Sequence, residues 1–206
     1  MHASIDASAN ARAVEHRPVT IARRRLAGDS GVWLFICADV FAFALFFALF
    51  TWGRIHHTEL YEESRRALDA RFGVANTLIL LTSSLFMVLT VEATRAGARR
   101  AAVRYLALTM LIGSAFAITK VLEYRSKISA GITMLTNEFF TYYFVFTGIH
   151  FLHFAIGMVA LAVTLSKLKT QELDGPLRVW VDSCGCYWHM VDLLWIMLFP
   201  LLYLQR

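Results

Sequence analysis

The stretch that decides the fold is YWHMVDLLWIMLFPLLYL, residues 187–204, close to the end of the 206-residue chain. It is almost wholly apolar, but it carries His189 and Asp192 three residues apart, so on a helix both side chains lie on one face. A carboxylate at the centre of a membrane costs roughly 2.5 to 3.5 kcal/mol on insertion scales and persists only where it faces other protein. The sequence therefore predicts that this helix belongs to a packed membrane bundle.

Composition places the whole chain among integral membrane proteins. Hydrophobic residues make up 58% of it and charged residues 17%, whereas soluble domains have about 25% charged residues. Apolar windows of about twenty residues predict five transmembrane helices, at 32–52, 75–91, 106–122, 139–165 and 187–204. We expect an all-α, five-helix membrane domain over residues 29–206, preceded by a flexible basic cytoplasmic tail at residues 1–28.

Charge predicts the orientation of these five spans. The tail and the two loops on its side of the membrane carry twelve lysine and arginine residues, whereas the opposite side carries seven. Because basic residues favour the cytoplasmic side, we expect the N-terminus inside and the C-terminus outside. The net charge of +5 then suits anionic lipid, and no nucleic acid is expected as a partner.

The first outer loop, residues 58–72, has the pattern of a short amphipathic helix. Glu62 and Arg66 are spaced for an i,i+4 ion pair, and Leu60, Leu68 and Phe72 could rest on lipid or on a partner. The interpretation that we favour is a solvated connector helix.

Ionisable residues inside the predicted spans are the candidate functional residues. One hypothesis is a stand-alone membrane metalloenzyme in which His150, His153 and His189 bind zinc, iron or copper. The favoured alternative is an interhelical polar network without metal, because buried histidines also form hydrogen bonds between helices and no Glu-x-x-His pair is present. That network would consist of His150, His153, His189 and Asp192.

Two carboxyl groups could instead handle protons, because a carboxyl group in a low-dielectric site can exchange protons near neutrality. Glu123 lies one helical turn from Lys120, and for this pair mutual neutralisation is favoured. For Asp39, which has no basic neighbour in its own span, both alternatives stay open. The cysteines are expected to be inert thiols: Cys37 at a buried apolar position, and Cys184 with Cys186 in a reduced inner loop.

Five motifs, one in each span, together resemble subunit III of the haem-copper respiratory oxidases over residues 29–206. The family segments are L-F-I-x-S-E-V, L-N-T-x-x-L-L-x-S, a closing E-Y, T-G-F-H-x-x-H and Y-W-H-F-V-D-x-x-W. The matching stretches here are LFICADV at 34–40, NT with LLTS at 76–83, EY at 123–124, TGIHFLH at 147–153 and YWHMVD at 187–192 with Trp195.

The resemblance implies a multi-pass protein of the bacterial plasma (inner) membrane, in the five-helix form of the family. It implies an accessory subunit with no redox centre of its own, packed beside a catalytic membrane subunit that carries haem, with copper or non-haem iron. Bound phospholipid and support of proton uptake are also implied, with Asp39 and Glu123 as the proton- or lipid-associated residues.

Some features depart from the oxidase pattern. Asp39 stands where the family has glutamate, so its side chain is one methylene shorter. The segments KVLEY at 120–124, SAGIT at 129–133 and LFPLLYL at 198–204 are similar to the branch that is accessory to bacterial nitric oxide reductases. The terminal acceptor, oxygen or nitric oxide, therefore stays open.

Overall fold

Five long helices that could each cross a membrane form the protein. The computed structural model describes residues 28–204, and within that range it contains helices and no β-strand. The predicted all-α class with five spans is therefore confirmed, while the predicted tail lies outside the described residues except for Gly28. The elements are α1 (Ser30–His56), α2 (Thr58–Arg66), α3 (Ala70–Arg95), α4 (Arg99–Ser129), α5 (Glu138–Thr170), α6 (Gly175–Phe199) and a terminal π-helix (Pro200–Leu204).

Short polar side chains begin four of the five spans. Asp29, Asp69, Asn137 and Asp174 precede α1, α3, α5 and α6, and each accepts a hydrogen bond from a backbone N–H of the first helical turn. These bonds satisfy donors that have no partner inside a helix. The starts of these four spans are therefore encoded locally.

The fifth span begins at Gly175, earlier than the predicted residue 187. The cap of Asp174 and a proline in the first turn start α6 ahead of the apolar run, and the polar Asp182 inside it pairs with Arg95 of α3 at 3.1 Å.

The placement of Cys184 and Cys186 in an inner loop was wrong, because both lie within α6. The expectation that Cys37 is buried was also wrong.

Helix α6 is the central helix of the bundle. Of its most apolar window 56% is buried, against 6% for the window of α1. It packs against α1, α3 and α5, while α4 packs against α3 and α5. Because lipid offers no hydrophobic force between helices, this arrangement depends on close packing and on hydrogen bonds between helices.

Trp188 in α6 provides both kinds of contact. Its indole N–H donates to Oγ of Ser83 in α3 at 3.2 Å, and the Ser83 hydroxyl donates to the carbonyl of Thr109 in α4 at 2.8 Å. Gly113 of α4 and Gly157 of α5 adjoin the ring so closely that a Cβ at either position would lie 3.1 or 3.0 Å from it. The four helices α3 to α6 therefore meet at one side chain.

The short helix α2 packs on the end of the bundle that carries the C-terminal π-helix. Tyr61 and Ser64 are buried, and the Asn137 amide donates to Ser64 Oγ at 2.8 Å. Burial raises the pKa of Tyr61, and the nearby carboxylate of Glu138 raises it further. We favoured a solvated connector helix for this segment. Helix α2 is instead partly anchored, because Tyr61 and Ser64 attach it to the bundle.

The predicted ion pair of α2 does not form. Glu62 lies 3.9 Å from Arg54 and 3.5 Å from Arg65 instead of pairing with Arg66. Glu62 therefore pairs with its i,i+3 neighbour Arg65 and with Arg54 at the end of α1, and not with its i,i+4 neighbour. Leu60 remains 38% exposed.

The close approach of Gly157 to Trp188 predicts different results for one substitution at two sites of α5. In Gly157→Ala the new methyl group meets the indole, whereas a methyl group at Gly148 would have open space within 4 Å. We expect Gly157→Ala to be about 1 to 3 kcal/mol less stable than Gly148→Ala, as for other overpacked cores. Both variants gain the same helix propensity, so thermal unfolding followed by circular dichroism isolates the contact. Equal melting temperatures of the two variants would show that Trp188 can move aside without a loss of stability.

Candidate functional site

A buried ion pair lies within α4. Lys120 Nζ of α4 lies 3.0 Å from Glu123 Oε2, and the two side chains are 1% and 3% exposed. The hydroxyl groups of Tyr143 and Tyr203 donate to Glu123 Oε1 at 2.9 and 2.5 Å. The pair that the sequence favoured as mutually neutralising is therefore in contact, and two phenols extend it.

The hydrogen bonds of this cluster are complete when Lys120 is an ammonium group and Glu123 is a carboxylate. An ammonium group has three N–H donors, and Lys120 Nζ reaches Glu123 Oε2, the Tyr203 oxygen at 3.3 Å and the Tyr143 oxygen at 3.5 Å. As a carboxylate, Glu123 accepts from all three neighbours. A positive and a negative charge thus cancel within a network that has no donor left over.

Aromatic rings surround the ammonium group on several sides. Nζ of Lys120 lies 5.0 Å from the ring centres of Tyr143 and Trp195, and 5.3 and 5.9 Å from those of Tyr124 and Tyr203. Ring faces attract a cation, which lowers the cost of burying it. Tyr203 belongs to the π-helix that follows α6, so the end of the chain closes this cage.

A second pair links α1 to α5 on the other side of the bundle. Asp39 Oδ1 lies 3.2 Å from Nε2 of His153, and each side chain is 12% exposed. Nδ1 of His153 is 2.9 Å from the carbonyl oxygen of Ile149. The Tyr187 hydroxyl donates to the carbonyl of His153 at 3.1 Å, which fixes this turn against α6.

The geometry of this pair requires one shared proton. The Ile149 carbonyl can only accept, so Nδ1 must carry a hydrogen, and Nε2 of a neutral ring is then an acceptor. An ionised Asp39 is also an acceptor only. The contact is a hydrogen bond only if a proton lies between the two groups, either on the carboxyl group or on an imidazolium ring.

A third group lies between α3 and α6. Nδ1 of His189 is 2.7 Å from Oγ of Ser84 and 3.9 Å from Oδ2 of Asp192, which is too long for a hydrogen bond. Asp192 is buried, and in residues 28–204 neither of its carboxylate oxygens has a hydrogen-bond partner. His189 therefore connects the two helices through Ser84, and Asp192 lies beside this contact.

His150 lies at the centre of the bundle. Its ring centre is 5.5 Å from that of Phe116 in α4 and 5.3 Å from that of Trp195 in α6. The residue is fully buried, and neither ring nitrogen has a hydrogen-bond partner within the described part of the chain. Its contacts are therefore those of an aromatic side chain.

The three histidines of the metal hypothesis have separate surroundings. His153 faces Asp39, His189 faces Ser84, and His150 lies between aromatic rings. Among residues 28–204, no group of three or more histidine, cysteine, aspartate or glutamate side chains is placed to hold a metal ion.

Tyr143, Tyr203 and Ser84 were missed by the sequence reasoning. The two tyrosines carry a usable signal, because a phenol inside an apolar span needs a hydrogen-bond partner. Ser84 carries none, because serine commonly bonds the backbone of its own helix.

The family model described as cytochrome c oxidase subunit III matches residues 20–205. The chain is 28% identical over 175 residues to the cytochrome bo(3) ubiquinol oxidase subunit 3 of Pseudomonas aeruginosa, covering 85% of this chain and 83% of that protein. It is 28% identical over 181 residues to the quinol oxidase subunit 3 of Bacillus subtilis, covering 85% of each.

A third relative has a different organisation. The haem-copper oxidase subunit I+III of Aeropyrum pernix is 28% identical over 197 residues, which cover 93% of this chain and 24% of that protein. As its name states, that polypeptide combines subunits I and III.

The closed network around Lys120 predicts a large and non-additive effect of mutation. Lys120→Met leaves the Glu123 carboxylate buried without its counter-charge, and we expect a loss of about 3 to 5 kcal/mol in unfolding free energy. Glu123→Gln should cost a comparable amount, and the double variant less than the sum of the two. Denaturant unfolding in detergent measures this cycle, with the exposed Arg125→Met on the same helix as control. Additive losses would mean that the two charges do not stabilise each other.

Proposed function

The chain belongs to the cytochrome c oxidase subunit III family, and we propose that it is a non-catalytic accessory subunit of a respiratory haem-copper complex. It is a multi-pass protein of the bacterial inner membrane. The observation that carries the proposal is the family match across residues 20–205. The interior is consistent with it, because Lys120 pairs with Glu123 and Asp39 pairs with His153.

A partner subunit would carry out the redox chemistry of the complex. That partner is a catalytic membrane subunit with haem, together with copper or non-haem iron, and this chain supports its assembly and durability. The polypeptide of Aeropyrum pernix that combines subunits I and III supports such an association. Bound phospholipid is also part of the proposal, supported by the exposed apolar residues along the spans.

Oxygen is the first candidate for the terminal acceptor, because the relatives named above are oxidase subunits. A second candidate is nitric oxide, with this chain as an accessory subunit of a nitric oxide reductase. One observation favours it: Lys120, which the aromatic cage surrounds, and Tyr203, which closes that cage, both lie in segments that resemble that branch.

We further propose that Asp39 and His153 hold an exchangeable proton and assist proton uptake, with the N-terminus inside. The single proton that their contact requires supports this role. Asp39 lies in the first half of α1, which with that orientation is the cytoplasmic half of the span. For Glu123 a structural role is better supported, because its acceptor capacity is used by Lys120 and two tyrosines.

The accessory role predicts the composition of the purified complex. After gentle detergent extraction through an N-terminal tag, we expect a haem-bearing large subunit in equal amount, together with phospholipid. Mass spectrometry identifies the subunit, and a reduced-minus-oxidised spectrum separates an oxygen-reducing from a nitric-oxide-reducing partner. Protease should remove the tag only in inside-out vesicles. A partner-free chain with stoichiometric metal that is lost in His153→Ala would instead support the metalloenzyme hypothesis.

The proton role predicts a specific phenotype for Asp39→Asn. The asparagine amide can donate to Nε2 of His153, so the contact and the assembly should survive while the acidic proton is lost. We expect normal haem content but slower steady-state turnover, with the deficit increasing towards alkaline pH, where bulk protons are scarce. Glu172→Gln, which removes an exposed acid on the cytoplasmic side, serves as control. Turnover equal to wild type at every pH would make the pair purely structural.

A further inference from the structure

One ionisable side chain in the middle of the membrane is not enclosed by the bundle. His189 is at the midpoint of the 30-residue helical segment Gly175–Leu204, yet its side chain is 38% exposed. The other histidine, lysine and acidic side chains deep in the described spans are far better covered. The exposed fractions are 12% for Asp39 and His153 and no more than 4% for Lys120, Glu123 and Asp192, and His150 is fully buried.

The exposed imidazole opens into a cavity between α3 and α6. The cavity has a volume of about 210 Å³, and its walls are the apolar Val88, Val91 and Gly185. His189, Glu92 and Arg95 supply polar groups along it, and the Arg95–Asp182 pair at 3.1 Å closes the end nearest the N-terminus of α6. A space of this size can receive one large side chain of a neighbouring helix, as in knobs-into-holes packing.

Lipid is a poor occupant of this site. Nδ1 of His189 is engaged by Ser84, which leaves Nε2 as the nitrogen without a partner among the described residues, and acyl chains offer it no hydrogen bond. Polar groups at this depth are found against other protein or in water-filled cavities. The outward face of α4 differs, since Leu108, Leu111 and Ile118 present only apolar surface there.

We propose that the α3–α6 face, defined by Val88, Val91, Glu92, Arg95 and His189, is the docking surface for a transmembrane helix of the catalytic subunit. One side chain of that helix enters the cavity, and a polar group of it pairs with Nε2 of His189. The inference rests on the proposed accessory function. Two observations point to a helix of the catalytic subunit as the occupant. The imidazole of His189 is exposed at mid-membrane, and in the Aeropyrum pernix relative subunits I and III share one polypeptide.

Filling the cavity tests this docking. Val88 and Leu111 are exposed apolar residues, at 40% and 68%, on α3 and α4. We expect full-length Val88→Trp to lose most of the haem-bearing subunit during purification and Leu111→Trp to retain it, with equal amounts of both chains in the membrane and equal melting temperatures. Retention of the subunit by Val88→Trp would overturn the docking surface. If the wild-type chain itself retains no haem-bearing subunit, the proposed function fails and the inference fails with it.

Photo-crosslinking in the intact complex gives a second test that does not depend on blocking assembly. Leu193 lies one turn beyond His189 and is 46% exposed. We expect Leu193→p-benzoylphenylalanine to crosslink to the haem-bearing subunit and Leu111→p-benzoylphenylalanine to crosslink to lipid alone. A crosslink from position 193 to a second copy of this chain, or to lipid alone, would overturn the proposal.

Discussion

The contact between Trp188 and its neighbours on three helices is the constraint on which the bundle depends. The indole N–H is satisfied by Ser83, and Gly113 and Gly157 allow α4 and α5 to approach the ring. In a membrane, where helices gain little from hydrophobic association, such close packing and hydrogen bonding supply the specificity. Trp195 repeats the arrangement two turns later, because its N–H donates to Thr77 of α3 at 3.1 Å. The two tryptophans thereby fix the rotation of α6, and with it the positions of His189 and Asp192.

The number and approximate position of the spans could be predicted because twenty apolar residues have few alternatives in a lipid bilayer. The start of α6 could not, because Arg178, Asp182 and Ser183 lower its apolarity, and Arg95, the partner of Asp182, lies on another helix. For the candidate site, the i,i+3 spacing was enough to pair Lys120 with Glu123. The pairing of Asp39 with His153 required knowledge of how α1 packs on α5, and Tyr203 joins its cluster only because the chain continues past Pro200 as a π-helix. The pair of Lys120 with Glu123 within one helix was therefore accessible from sequence, although the i,i+4 pair of Glu62 with Arg66 was not formed, and the contacts between helices were not accessible.

Three polar groups of this bundle differ in how far the chain itself satisfies them. The cluster around Lys120 uses every donor and cancels its charges, so nothing in it calls for a partner. The Asp39–His153 contact is a hydrogen bond only with one added proton, which makes it sensitive to proton supply, and Oδ2 of Asp39 has no hydrogen-bond partner among the described residues. His189 retains an outward nitrogen in the middle of the membrane. The extent of hydrogen bonding within the chain thus separates three roles. It suggests a structural role for the Lys120 cluster, a proton-linked role for the Asp39–His153 pair and an assembly role for His189.

This gradation gives a physical reason why an accessory subunit would keep ionisable residues at all. Replacing a buried ion pair with apolar side chains is often neutral or stabilising, so stability alone does not require Lys120 and Glu123. A closed pair does, however, specify one arrangement of α4, α5 and the chain terminus, because any other arrangement leaves a buried charge without its partner. An open imidazole at mid-membrane has the complementary effect, since it penalises the isolated chain in lipid and favours the assembled state. Internal charge pairs would then fix the fold, and an incompletely satisfied group at the surface of the bundle would make that fold depend on its partner.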